Sequence, residues 1–264
     1  MTILTRSIIV ASIFLVGCSK KQAEDDSAAP ASGYSVENVT SGGSVSGHVM
    51  LVGEHPATSM LETQKDQDVC GTSHPNPGAL GSGNGIGGCV VAIEHISKGK
   101  AFVEQKWEVD QKGCEFIPHI LAVPVGKSIV VANSDAALHN FHITKGTETI
   151  VNEAQPESSP AREVKMKTPG LLAVTCDVHP WMRGYVYVAE NPYYAVTDAQ
   201  GSYSITDIPA GDYTISLWRD NWTVELVKDG EGRIQSYKRG PDFVKQQQVH
   251  IEAGKPVSLD FTLP

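Results

Sequence analysis

The sequence predicts an all-β protein, and two observations carry that expectation. Short segments rich in β-branched and aromatic residues recur between clusters of Gly, Pro, Asn and Asp, the pattern of strands punctuated by turns. Between those clusters there is hardly any helical periodicity. The candidate strands are 44–52, 89–94, 101–104, 120–125, 127–132, 139–144, 162–167, 171–176 and 184–189, a spacing typical of sandwiches. A length of 264 residues is enough for two ordinary domains, each with its own core. Apolar residues make up 41% and charged residues 19%, a globular balance.

The first element precedes the strands. Arg6 is followed by an apolar run from Ile8 to Val16, too short to span a bilayer as a stable helix, so residues 1–17 read as a secretory leader. The run closes on Leu15-Val16-Gly17-Cys18, which resembles the lipobox of bacterial lipoproteins. That resemblance implies lipidation at Cys18, a protein exported and lipid-anchored to a membrane facing the periplasm or cell surface, and, with Ser19 following, the outer membrane. Residues 18–41 are polar and small, a flexible tether. The formal net charge is −9, and removing Arg6 with the leader takes it to −10, which argues against a nucleic-acid partner.

The next unit is expected to span 42–189. Its first two strands are separated by a loop, roughly 53–88, rich in Pro, Gly, Ser and Asn, and a stretch that long without pattern is functional or stapled down. Five cysteines in an exported chain each need an account. Cys18 goes to lipid and Cys176 to the site argued next. Cys89 lies in the apolar run Gly-Gly-Cys-Val-Val-Ala-Ile, where a thiol is a small buried hydrophobe. That leaves Cys70 and Cys114 to pair as a disulfide.

The informative segment is Thr175-Cys176-Asp177-Val178-His179-Pro180-Trp181-Met182-Arg183-Gly184. A strand delivers a Cys, and a tight loop returns His at +3 and Met at +6 before the next strand. One thiolate, one imidazole and one thioether are the soft and borderline donors that suit copper. A second imidazole is available from His139, which follows a polar turn after the strand 127–132. Together they give a His₂Cys set with an axial Met. The pairs needed for a zinc finger, the Cys-x-x-Cys-His of attached haem and the His-x-His pairs of multicopper oxidases are absent from the sequence. His142 and His119 read as structural groups.

Here the sequence resembles the cupredoxin family of type 1 blue copper proteins, the amicyanin and plastocyanin type above all. The shared features are the short Cys-x-x-His-x-x-Met loop with Pro after the His, Met-Arg-Gly leading into the last strand, and Asn133 six residues before His139. The resemblance implies a Greek-key β-sandwich holding one copper ion on His139, Cys176, His179 and Met182, with Asn133 steadying the ligand loops. It also implies electron transfer with redox protein partners in the cell envelope, and not enzymatic catalysis, because no Ser-His-Asp or paired-carboxylate pattern stands out. The same ligands would serve a copper chaperone or storage protein, and an envelope lipoprotein of purely structural role would leave them empty. His179 is expected to present its ring edge near the surface as the electron port, with Pro180, Trp181 and Met182 as an apolar rim.

The last unit is placed at 190–264. A composition change falls at Glu190-Asn191-Pro192, and hairpin text follows with turns at Asp198-Ala199-Gln200-Gly201 and Pro209-Ala210-Gly211-Asp212. Its Thr-Asp-x-x-Gly-x-Tyr and Ile-Pro-x-Gly-x-Tyr pieces resemble the carboxypeptidase regulatory-like domain, which implies a small transthyretin-like β-sandwich of spacer or interaction role.

Overall fold

The computed structural model describes residues 33–53, 59–77 and 81–264. The leader, Cys18 and most of the tether lie outside the described residues. The described residues are all-β, with one short helix among them, Gln67–Cys70. No helix among the described residues is long and apolar enough to cross a membrane.

Two cores organise the strands. The first lies between a four-stranded sheet (Phe116–Ile117, Glu108–Gln111, Ser128–Asn133, Arg162–Lys165) and a five-stranded one. The five run in the order Ile120–Pro124, Arg183–Ala189, Gly170–Thr175, His139–Lys145, Glu148–Gln155. Side chains alternate across a strand, so His139, Phe141 and Ile143 share one face with Leu172, Val174 and Cys176 on the neighbouring strand. All six are buried. Fully enclosed side chains such as Phe141, Leu172 and Val186 each stabilise the fold by roughly 1.5–3 kcal/mol relative to exposure.

The second core joins the two ends of the chain. Gly43–Leu51 pairs with Ser202–Ile208, Pro256–Ser258 and Phe261–Leu263. Val90–Ile93 sits between Tyr194–Val196 and Gly211–Arg219, with Phe243–Ile251 beyond. This corrects the expected grouping of 42–189 as one unit. Val45, Val49, Leu51, Val91 and Ile93 pack with Tyr203, Ile205, Ile215, Leu217, Ile251 and Phe261, so the apolar faces of these early strands are buried against strands from beyond residue 190. The sandwich built from residues 108–189 is therefore inserted between two neighbouring strands of the other, Val90–Ile93 and Tyr194–Val196. Gly201 shows how closely the second sandwich is built: it adopts φ +77, and a Cβ there would stand 2.2 Å from the Val49 carbonyl oxygen.

Two further expectations change. The strand expected at 101–104 is displaced to Glu108–Gln111. Val103 is 76% exposed, whereas Trp107 and Val109 reach the core. The polar strand Glu148–Gln155 was not expected; it completes the hairpin with His139–Lys145, and its mostly exposed residues carry little apolar alternation. The long loop also holds structure: Met60–Glu62 pairs with Ser73–Pro75 around the short helix, forming a cap.

Candidate metal centre

Asn133 ends its strand and bends the chain toward the first imidazole. Its Nδ2 donates to the carbonyls of Ala137 and Gln155, each at 2.9 Å, while Oδ1 accepts the Asp135 N–H at 3.1 Å. His139 then opens the next strand facing inward. Cys176 follows Gly170–Thr175 on the same face. The loop beyond it is tightened by a Met182 N–H bond to the His179 carbonyl at 2.9 Å, which returns the chain into Arg183–Ala189. Asn140 ties the two segments together, its Oδ1 accepting the Asp177 N–H at 2.5 Å.

Three donor atoms converge. His139 Nδ1 and His179 Nδ1 are 2.8 Å apart, and Cys176 Sγ lies 3.7 Å from His179 Nδ1. Both imidazoles are fully buried, and Cys176 and Met182 are 3% and 2% exposed. Burial pushes the Cys176 thiol up, while the Asn140, His179 and Val178 backbone groups pull it down. The Asn140 N–H reaches the sulfur at 3.5 Å. Burial likewise lowers the His179 pKa, opposed by the hydrogen bond to Asp66. With both Nε2 atoms set against carboxylates, the two Nδ1 lone pairs face one another across 2.8 Å beside the sulfur, with no ring proton between them. A cation held between them would resolve this, and the donor types fit copper.

Each imidazole is held from behind by a carboxylate. His139 Nε2 lies 2.9 Å from Asp135 Oδ2, and Asp135 also accepts the N–H groups of Gly113 and Cys114, both at 2.7 Å. His179 Nε2 lies 2.9 Å from Asp66 Oδ2. With Nε2 occupied in both rings, Nδ1 is left as the free donor. Cys114, Asp135 and His139 also cluster, but the Cys114 sulfur is bonded to Cys70 and is no ligand. Cys89 is a free, buried thiol.

The cap corrects the expected electron port. His179 presents no ring edge to solvent, because the segment 60–76 covers it, and Trp181 is 3% exposed beneath the same cover. His74 stacks on Trp181 with ring centroids 5.8 Å apart. The cap is stapled on one side by Cys70–Cys114. On the other it is gripped by a hairpin, Val224–Lys228 with Ile234–Arg239. Ile234 N–H donates to Gln64 Oε1 at 2.8 Å, Tyr237 donates to the Glu62 carbonyl, and Lys228 pairs with Glu62 at 3.1 Å.

Solved structures similar to part of the chain include cupredoxins and a copper-containing nitrite reductase. A purple cupredoxin from Nitrosopumilus maritimus is 21% identical, covering 32% of this chain and all (100%) of that one at a TM-score of 0.29. Amicyanin from Paracoccus versutus is 20% identical over 33% of this chain and 84% of its own, at 0.30. A copper-containing nitrite reductase from Thermus scotoductus is 24% identical over 35% of this chain, which spans 24% of that enzyme, at 0.30. No family model and no curated relative matches the sequence.

Of the remaining groups singled out in the sequence, His142 lies outside the cluster, its Nδ1 3.0 Å from Asp177 Oδ1 and its Nε2 2.8 Å from Thr149 Oγ1. His119 lies at the junction of the two halves, its Nδ1–H donating to the Arg183 carbonyl at 3.0 Å. Sequence reasoning missed Asp135 and Asp66. Asp135 had a local signal, four residues before His139 and two after Asn133. Asp66 had none, being 113 residues from the ring it meets.

Proposed function

We propose that this chain binds one type 1 copper ion on His139, Cys176, His179 and Met182 and carries single electrons between redox proteins of the cell envelope, held at the membrane by lipid on Cys18. The observation that carries the reading is the convergence of the Cys176 sulfur with the two imidazole Nδ1 atoms in one buried point. Copper, when bound, supplies the one-electron couple. The chain's own residues do the rest. Asn140 and Asn133 hold the ligand segments at fixed separation, so little has to move between oxidation states. The Asn140 N–H on the sulfur favours the thiolate. Burial of every donor excludes water and substrates, which also speaks against the competing reading of a copper chaperone, whose ligands must release the ion.

The second sandwich is proposed as a carboxypeptidase regulatory-like module with a structural task. Its hairpin grips the cap over His179, which gives it a role at the centre without supplying a ligand.

Loading the purified protein with Cu(II) tests the reading. One copper per chain, with an intense thiolate-to-copper band that bleaches reversibly on reduction, is the expected result; copper lost at once to a weak chelator would favour the chaperone. The anchor is tested separately with a fatty-acid probe, which should label the wild type and spare Cys18→Ser.

A further inference from the structure

We propose that Asp66 is a positioning residue of the metal centre: its carboxylate accepts the Nε2–H of His179, fixes the tautomer whose Nδ1 faces the Cys176 sulfur, and seals the ring edge from solvent. The proposal rests on the copper reading for its redox consequence, though not for its tautomer.

The geometry is built for this contact. Asp66 adopts the left-handed conformation, φ 48 and ψ 43, which costs a non-glycine residue energy unless its surroundings enforce it. They do. Its carbonyl accepts the Val69 and Cys70 N–H groups at 3.0 and 2.7 Å. The cap strands pair on either side, Thr63 Oγ1 donates to the Gly71 carbonyl at 2.5 Å, and Cys70 is stapled to Cys114. Gln64, two residues earlier, is held by Ile234 of the hairpin. The loop is thus fixed from three sides, and Asp66 Oδ2 comes within 2.9 Å of an imidazole nitrogen that is wholly buried. Asp135 does the same for His139, so both rings are oriented alike, one from its own turn and one from the distant cap.

A carboxylate on the remote nitrogen makes a ligating imidazole a stronger donor, and such partners are worth about 10–100-fold in metal affinity. A stronger donor favours Cu(II) and lowers the potential.

The test has two arms. In the copper-free protein at pH 8, ring-nitrogen NMR of His179 should show a single Nε2–H tautomer, turning to a mixture in Asp66→Ala. In the copper-loaded protein, Asp66→Ala should raise the midpoint potential and weaken copper by about 10–100-fold, Asp66→Asn should shift the potential less, and Gln64→Ala, which loosens the cap without touching His179, should leave it in place. An unchanged tautomer in Asp66→Ala overturns the proposal whether or not copper binds. An equal shift in Gln64→Ala would assign the effect to the cover as a whole and overturn the role of the carboxylate. A wild type without the charge-transfer band would sink the copper reading alone, leaving the NMR arm to decide on Asp66.

Discussion

His119 Nε2 lies 3.3 Å from Asp220 Oδ2, setting a residue just before the strand Ile120–Pro124 of one sandwich against one just past the end of the strand Gly211–Arg219 of the other. Asp220 is fully buried and paired to Arg219, itself fully buried, and Arg239 approaches the same carboxylate at 3.9 Å. Burial first, then the guanidinium groups of Arg219 and Arg239, hold the imidazole neutral, its pKa lowered to about 3.

That lowering sets a pH dependence. The unfolded chain takes up a proton on His119 near pH 6.5, whereas the folded chain does so only near 3. Stability from this group is therefore complete above pH 6.5 and is lost as pH falls through that window, with a slope of up to about 1.4 kcal/mol per pH unit. Denaturant unfolding at pH 4.5 to 7 should show a flatter dependence in His119→Gln than in the wild type. Identical slopes would refute the assignment.

Replacing Cys176 by Ala should abolish the charge-transfer band of the copper-loaded protein while far-ultraviolet circular dichroism stays that of a β-sandwich. The side chain sits at a strand end, and losing one sulfur leaves Phe141, Leu172 and Val174 to hold the sheet. A retained band would remove Cys176 from the site.

Met182→Gln should keep copper and lower the potential, because a harder axial oxygen favours Cu(II) over Cu(I). Met182 is buried in the same core as Cys176, and voltammetry of the two proteins decides the matter. An unchanged potential would mean the thioether does not reach the ion.

The Cys70–Cys114 bond spans a sequence separation of 44 residues, and loop-closure estimates give about 3–4 kcal/mol for that size. Cys70→Ser with Cys114→Ser should lower the unfolding free energy by about that amount and expose Trp181 to a fluorescence quencher. A protein as stable as the wild type, with Trp181 still shielded, would show that the hairpin alone holds the cap.

What could be read in the sequence was what the chain encodes locally. The His and Met offsets after Cys176 are fixed by one loop, and strand alternation marks which side chains face inward. Alternation does not say which sheet a strand joins, so Val45, Val49, Val91 and Ile93 were legible as strand residues and illegible as members of the second core. Asp66 was hidden for a different reason. Its contact depends on a cap assembled from a disulfide, a hairpin from the far end of the chain and a left-handed residue, none of which leaves a periodic trace near position 66.

The insertion of one sandwich into the other also imposes a timetable. Among the described residues, Val90–Ile93 pairs with Tyr194–Val196 and Ile215–Trp218. At synthesis rates of about 5–20 residues per second, the roughly 100 intervening residues take about 5–20 s to appear. All strands of the inner module emerge within that interval, while the outer one waits with open edges. A chain cut short after residue 189 would thus carry a complete inner module preceded by orphan strands. The outer sandwich, first to begin, is the last that can close.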